Sequence, residues 1–249
     1  MTRVLLLGGT TEAATLARHL AAKGVDAIYS YAGRTDNPAD QPLPTRTGGF
    51  GGAEGLVRYL KEAGISHVVD ATHPFAAGMS RNAIAACTET GLPLCALERA
   101  PWTPDDADDW IEVPDIAGAI AALPEEPSRI FLAIGRQNLA PFTAKPWHQY
   151  VLRVVDPPQG RLPIPDAEVI VARGPFTEAG DRTLMKARRI GLVVAKNSGG
   201  SGARAKIDAA RALQIPVVMV ARPVLPPRQT SETITGIMAF LGHRADLGV

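Results

Sequence analysis

Val4-Leu5-Leu6-Leu7-Gly8-Gly9-Thr10-Thr11-Glu12-Ala13 is an apolar run that stops at two glycines and passes into a helix-forming segment. Four consecutive apolar residues, too few for a helix and bounded by turn residues, specify a strand buried on both faces of a parallel sheet. The glycines allow a sharp turn and a close approach of backbone to ligand. Thr10 or Thr11 can cap a helix predicted over 12–23, so that free N–H groups and the positive end of its dipole converge on one point. A pyrophosphate would be stabilised there. Against the dinucleotide fingerprint G-x-G-x-x-G/A, Gly8 and Ala13 fill the first and third positions, while Thr10 stands in the second. The same ten residues also suit an ordinary strand-turn-helix in which the glycines only make the turn.

The chain has 249 residues, of which 46% are hydrophobic and 20% charged, enough for one large domain or two small ones with a real core. It has no run of about 18 apolar residues, and Gly8 and Gly9 interrupt any signal-peptide pattern. A cytoplasmic protein that does not engage a membrane is expected. Cys87 and Cys95 lie in apolar surroundings without CxxC or Cys/His metal spacing, and so read as reduced core residues with no metal site. The net charge of +1 conceals an asymmetry: residues 1–126 carry 9 Lys and Arg against 17 Asp and Glu, and residues 127–249 carry 17 against 8. Solvated helix faces, such as that of Lys186, Arg188 and Arg189, explain part of this. The rest predicts an anionic ligand for the second half. Aromatic residues are only 5% of the chain and no nucleic-acid motif is present, which argues against a nucleic-acid partner.

A second short strand over 27–34 ends where the adenosine ribose of a dinucleotide would lie. An acidic residue there selects the unphosphorylated cofactor. This chain has Ser30, Tyr31 and Arg34 instead, with no carboxylate until Asp36. A hydroxyl and a guanidinium suit a 2′-phosphate. Residues 35–47 read as a loop, and Gly48-Gly49-Phe50-Gly51-Gly52 reads either as backbone passing close to a ligand or as a mobile flap ahead of a helix over 53–63. A strand over 67–71 leaves through Thr72-His73-Pro74-Phe75-Ala76 into a helix over 77–89. Ligands of open parallel sheets lie beyond the carboxyl ends of strands, which puts Asp70, Thr72 and His73 on the same rim as Gly8 and Gly9. A further strand covers 92–97, and the acidic stretch 104–109 marks a linker, giving domains over 1–98 and 99–249.

The second half alternates again, with strands predicted over 110–113, 129–134, 150–155, 168–172, 192–196 and 216–220 and helices over 114–123, 178–189, 203–213 and 231–241. The fold class is therefore α/β, with two Rossmann-like domains and largely parallel sheets. Polar clusters follow or lie within four of these strands: Gly135-Arg136-Gln137-Asn138, Arg153, Arg173-Gly174-Pro175-Phe176 and Lys196-Asn197-Ser198-Gly199-Gly200-Ser201-Gly202, with Lys206 on the next helix. Singly each is an ordinary turn. Together they form a rim of cations and backbone donors suited to several carboxylates or phosphates.

LLLGGTTEA, DATHPFA, FLAIGRQNL, ARGPF and VAKNSGGSGARAKIDAA, in this order and at these separations, resemble the precorrin-6A reductase family of cobalamin biosynthesis from near residue 4 to about residue 222. The resemblance implies an NADPH-dependent oxidoreductase that delivers a hydride to a conjugated polycarboxylate macrocycle, with cofactor and macrocycle in a cleft between two domains. It implies that Gly8, Gly9, Thr10, Thr11, Glu12, Ser30, Tyr31, Arg34, Thr72 and His73 bind the cofactor. Arg136, Arg153, Arg173, Lys196, Ser198, Gly199, Gly200 and Lys206 would bind substrate. His73, Tyr31 and bound water are the candidate proton donors, and the protein is expected to act as a monomer. Two alternatives stay open: an adenosyl-cofactor methyltransferase of the same pathway and a non-catalytic tetrapyrrole carrier.

Overall fold

A computed structural model describes residues 2–33, 39–158, 160–164 and 167–245. The chain forms two compact units, Met1–Ala100 with Val224–Val249, and Pro101–Pro223. The first contains strands β1 (Arg3–Leu7), β2 (Asp26–Tyr31), β3 (Thr45–Thr47), β4 (His67–Asp70) and β5 (Leu94–Leu97). Its helices are α1 (Thr11–Ala22), α2 (Gly52–Glu62) and α3 (Ala77–Thr90). The second contains β6 (Trp110–Val113), α4 (Ile116–Ala121), β7 (Arg129–Ala133), β8 (Gln149–Val154), β9 (Glu168–Val171), α5 (Glu178–Ala187), β10 (Leu192–Lys196), α6 (Ala205–Ala212) and β11 (Val217–Val220). The chain then returns to the first unit as β12 (Gln229–Ser231) and α7 (Ile234–Ala245).

The opening strand explains how the first unit is layered. Successive side chains of a strand point to opposite faces, and in β1 both faces are buried. Val4 and Leu6 pack with Leu16 and Leu20 of α1 and Ile237 and Phe240 of α7. Leu5 and Leu7 pack with Leu56 and Leu60 of α2 and Ala83 and Cys87 of α3. The unbroken VLLL run is thus the signature of a sheet covered by helices on both sides. In the second unit, Phe131 of β7, Val193 and Ala195 of β10 and Val217 and Met219 of β11 pack with Met185 of α5, Ile207 and Ala210 of α6, and Trp102.

The first sheet runs β3-β2-β1-β4-β5-β12 and the second β9-β8-β7-β10-β11-β6, and the ladders are parallel. Each has the doubly wound order 3-2-1-4-5-6 of a Rossmann sheet. In each, the sixth strand comes from outside the run of the other five: β12 follows the whole second unit, and β6 precedes β7. The C-terminal segment is therefore not part of a continuous domain over 99–249, because β12 pairs with β5 through Gln229↔Cys95 and Ser231↔Leu97, and Ile237, Phe240 and Leu241 join the first core.

The strands predicted over 110–113 and 192–196 are observed as β6 and β10 with those bounds. β3 and β12 were not expected as strands. They are Thr-Arg-Thr and Gln-Thr-Ser, three polar residues each on a sheet edge, and so carry no hydrophobic periodicity. Two 3₁₀ turns, Arg136–Asn138 and Ala140–Ala144, follow β7 where the sequence signalled only a polar cluster. The C-terminal helix begins at Ile234 and not at 231, since Ser231 ends β12.

Candidate functional site

In a doubly wound sheet the ligand crevice opens where the strand order reverses. In the first unit this is between the carboxyl ends of β1 and β4, which are paired through Leu7↔Asp70. Gly9 adopts φ +116°, a conformation that favours glycine. A Cβ on Gly9 would meet nothing within 4 Å, so the backbone there faces open space. Thr10 is the N-cap of α1: its Oγ1 accepts from Ala13 N at 3.1 Å and donates to Ala71 O at 2.9 Å. The residue that replaces the second fingerprint glycine thus joins the two strand ends. The Thr11 and Glu12 N–H groups belong to the first helical turn, where the helix itself offers them no carbonyl. Glu12 would place a negative charge beside any phosphate, but Arg99 Nη1 lies 2.5 Å from its Oε2. These features fit a pyrophosphate.

Gly8 has a different reason to be glycine. A Cβ there would lie 2.1 Å from Cζ and 2.3 Å from the hydroxyl of Tyr29. Tyr29 is buried, its hydroxyl accepts from Gly9 N at 2.9 Å, and burial pushes its pKa up to about 12. It holds the glycine turn from below and is a residue that sequence reasoning missed.

Asp70 organises the β4 exit. Its buried carboxylate accepts from Thr72 N at 3.1 Å, Thr72 Oγ1 at 2.7 Å and Ser80 Oγ at 2.6 Å. Thr72 is thereby tied to the loop. His73 is exposed, and its Nδ1 accepts from Phe75 N at 3.2 Å, which leaves Nε2 as the proton-bearing ring nitrogen. Thr10, Glu12, Thr72, Pro74 and Arg99 line one depression at this rim.

At the end of β2, Ser30 is buried and its Oγ accepts from Arg46 Nη1 at 2.8 Å. The Tyr31 hydroxyl donates to Ala39 O and accepts from Gln41 Nε2, both at 2.6 Å, so its proton is already engaged. Arg34 lies outside the described residues. Arg46 was passed over because the sequence placed it in a loop; the Gly48–Gly52 cluster just beyond it was the available signal.

In the second unit the order reverses between β7 and β10, the strands that carry the FLAIGRQ and VAKNSGG segments. A cavity of about 190 Å³ there is lined by Gly135, Arg153, Phe176, Asp181, Ala203 and Lys206, among others. Arg153 forms a bidentate pair with Asp181 and stacks 3.6 Å from the Phe176 ring centroid. With side-chain exposures of 10% and 3%, the pair is internal, and Arg153 is not the unneutralised rim cation that the sequence suggested. Lys206 is also buried; its Nζ donates to Ala203 O at 2.6 Å and lies 5.2 Å from the Trp102 ring. Arg136 and Arg173 are exposed, and Arg173 lies 3.7 Å from Asp156. Lys196 ends β10 at the rim.

The KNSGG turn is fixed from outside the motif. Asn197 exchanges two 2.8 Å hydrogen bonds with the Trp102 backbone, and Trp102 Nε1 donates to Gly200 O at 2.7 Å. Arg222 donates to Asn197 O and Ser198 O. Gly199 and Gly200 both have φ +67°. Trp102, Asp181 and Arg222 are further residues that sequence reasoning missed; Arg222 had the same signal as its neighbours, a cation following an apolar strand.

The charge asymmetry does not survive the division into units. Met1–Ala100 with Val224–Val249 carry 11 Lys and Arg against 11 Asp and Glu, and Pro101–Pro223 carry 15 against 14. The acidic stretch after residue 104 belongs to the second unit, where Arg211 pairs with Asp105 and Asp108 at 2.9 and 2.8 Å. Among the described residues no group of His, Cys, Asp and Glu could hold a metal, and no helix is long and apolar enough to cross a membrane. Cys87 and Cys95 are buried free thiols.

Comparison with known proteins extends along almost the whole chain. The model of the family "Precorrin-6x reductase CbiJ/CobK" matches residues 3–242. Precorrin-6A reductase of Rhodobacter capsulatus is 59% identical over 97% of this chain and 96% of its own. Precorrin-6A reductase of Sinorhizobium sp is 50% identical over 88% and 85%. A solved structure of CobK precorrin-6A reductase superposes with a TM-score of 0.94 at 58% identity, covering 100% of this chain and 98% of that one.

Proposed function

Because the chain belongs to the precorrin-6x reductase family, we propose that it is the precorrin-6A reductase of a cobalamin pathway and that its two crevices divide cofactor from substrate. The observation that carries this is the 59% identity to such a reductase over 97% of the chain, on a scaffold with a pyrophosphate-ready turn at the β1/β4 reversal. When bound, NADPH supplies a hydride to the conjugated macrocycle; a proton completes the reduction, giving the dihydro product and NADP⁺.

The chain's own residues bind, orient and hold a proton. Gly9 offers open backbone, and Thr11 and Glu12 offer N–H donors to the pyrophosphate. Glu12, held by Arg99, is oriented away from a role as a free anion. Ser30 sits where the adenosine ribose would lie, and Arg34 is retained as a 2′-phosphate partner. Thr72 shapes the floor through Asp70. His73 is preferred to Tyr31 as the proton donor, because the Tyr31 hydroxyl already donates to Ala39 O. Positioning supplies most of the acceleration.

The macrocycle carboxylates are assigned to Arg136, Arg173 and Lys196 at the second rim, with Ser198, Gly199 and Gly200 contributing backbone. Arg153 and Lys206 line the cavity behind them, where Lys206 adds positive charge next to a neutralised pair. The support is this local arrangement, not a net charge of the unit. Cytoplasmic action as a monomer, without nucleic acid, is part of the proposal, and the near-zero charge of each unit supports its last element.

The test follows absorbance of the NADPH band during incubation with precorrin-6A, with NADH in parallel. Loss of the band with a changed macrocycle spectrum is expected with NADPH. Macrocycle binding without oxidation would favour a carrier, and transfer of a methyl group from an adenosyl cofactor would favour the methyltransferase. In the same assay, His73→Ala should lower turnover severely with little change in NADPH affinity; near-normal turnover removes His73 from the proton path.

A further inference from the structure

The turn after β10 closes on two consecutive glycines. Gly199 and Gly200 both have φ +67°, a conformation that favours glycine. The same freedom makes their peptide planes easy to turn over, and the two edges of a plane are opposite in charge, since C=O and N–H of a trans peptide point in opposite directions. A carboxylate is held by backbone that shows it N–H and repelled by backbone that shows it C=O. The turn therefore needs a group outside itself to choose the edge.

Trp102 makes that choice at Gly200. It belongs to no helix or strand, is 6% exposed and packs in the core of the second unit. Its backbone is clamped by Asn197, whose Oδ1 accepts from Trp102 N and whose Nδ2 donates to Trp102 O, both at 2.8 Å. From this fixed base Nε1 donates to Gly200 O at 2.7 Å. An indole has a donor and no acceptor, so it holds the carbonyl inward and cannot serve the reversed plane, in which an N–H would face it. The Ser201 N–H, at the other edge of that plane, is thereby turned away from the indole. Arg222 acts in the same sense two residues earlier: its Nη2 donates to Ser198 O at 3.2 Å, which turns the Gly199 N–H away from it. Gly202, Ala203 and Lys206 continue into the wall of the 190 Å³ cavity, and Lys206 Nζ lies 5.2 Å from the same indole ring. One buried side chain stands behind both the turn and the cavity lysine.

We propose that Trp102 is a positioning residue for the macrocycle: its indole N–H holds the Gly200 carbonyl inward and so presents the Ser201 N–H to a substrate carboxylate. It acts through the turn and not by contact with substrate. This inference rests on the reading of the second rim as the macrocycle site.

The experiment compares steady-state kinetics of the full chain with precorrin-6A and NADPH for wild type, Trp102→Phe and Arg136→Gln. Trp102→Phe keeps an aromatic ring in the core and removes the donor. It should raise the KM for precorrin-6A about 10-fold, the low end of what one hydrogen bond to a charged group contributes. The NADPH KM should stay unchanged and kcat should stay within about threefold, because a carboxylate that does not react is held equally in ground and transition states. A residue that serves packing alone would lower Tm and leave both KM values as they are; that result overturns the proposal, as does an equal rise in both. Arg136→Gln separates this failure from failure of the reading beneath it. If it raises the macrocycle KM and Trp102→Phe does not, only the positioning role falls; if neither does, the assignment of the macrocycle to the second rim falls as well. Should Trp102→Phe not fold, wild-type protein carrying isotope-labelled tryptophan decides. Its three indole N–H signals are assigned through Trp110→Phe and Trp147→Phe, and that of Trp102 should shift and gain protection from exchange when precorrin-6A is added. A Trp102 signal that stays in place overturns the proposal.

Discussion

Replacing Gly8 by alanine tests the account of the glycine turn. The new Cβ would lie 2.1 Å from Tyr29 Cζ and 2.3 Å from its hydroxyl, well inside van der Waals contact. Tyr29 cannot swing aside freely: it is 1% exposed, packs in the α1-side core and accepts from Gly9 N. Overpacking of a core costs about 1–3 kcal/mol, and breaking the Gly9–Tyr29 hydrogen bond adds about 0.5–1.5 kcal/mol. The sum, about 2–4 kcal/mol, corresponds to a fall of roughly 5–15 °C in the thermal midpoint at this chain length. Displacement of Gly9 should weaken NADPH binding as well. The decisive assay is a double-mutant cycle by thermal denaturation, comparing Gly8→Ala in wild type and in a Tyr29→Ala background. If the ring is the cause, the second effect should nearly vanish, a coupling close to the full cost of about 2–4 kcal/mol. A Gly8→Ala protein that melts within about a degree of wild type and binds NADPH normally would refute the reasoning, as would equal costs in both backgrounds.

Thr10→Ala removes both the helix cap and the link to Ala71 O, and should cost about 1–3 kcal/mol in urea denaturation, whereas Thr10→Ser should recover most of it. Asp181→Ala strands the buried Arg153 guanidinium and should destabilise by about 3–5 kcal/mol; the double variant with Arg153→Ala should be milder, and an equal or larger loss would contradict the pairing. His148 is buried and its pKa lies below the ordinary 6.5, chiefly through burial, with Lys145 adding repulsion and Glu125 opposing it. The folded state therefore takes up fewer protons than the unfolded one, so stability is complete above about pH 6.5 and is lost as pH falls from there through the folded pKa. His148→Phe should flatten that part of the pH–stability curve, and an unchanged slope would exclude His148 as its source.

What could be read from the sequence was what hydrophobic pattern and turn chemistry encode. Val4–Leu7 announced a doubly covered strand because all four side chains find an apolar layer, and the Thr10-Thr11 pair announced a cap, which falls to Thr10 because its hydroxyl has a backbone N–H to reach. β3 and β12 were illegible because an edge strand can be polar and still complete a ladder. Arg46 was lost with β3, since its value comes from the register with Ser30 and not from neighbours in sequence. The net charge misled for a related reason: cutting the chain at its midpoint separated Asp105 and Asp108 from Arg211, which they neutralise. Arg153 looked like a rim cation because nothing in the sequence places Asp181, 28 positions away, against it.

The exchange of sixth strands has a consequence for how the chain comes into being on the ribosome. Residues up to Leu97 supply five strands of the first sheet, yet its last edge, β12, begins only at Gln229. By then the second sheet has every strand it needs, since β6 through β11 emerge in an unbroken run. The sheet that starts first is the last to close. Until Ile237, Phe240 and Leu241 arrive, one flank of β5 and the α7 seat in the first core stay uncovered, a long-range pairing of the kind that slows folding and leaves an edge open to wrong partners. Loss of the last two dozen residues would therefore damage the end of the protein that was made first.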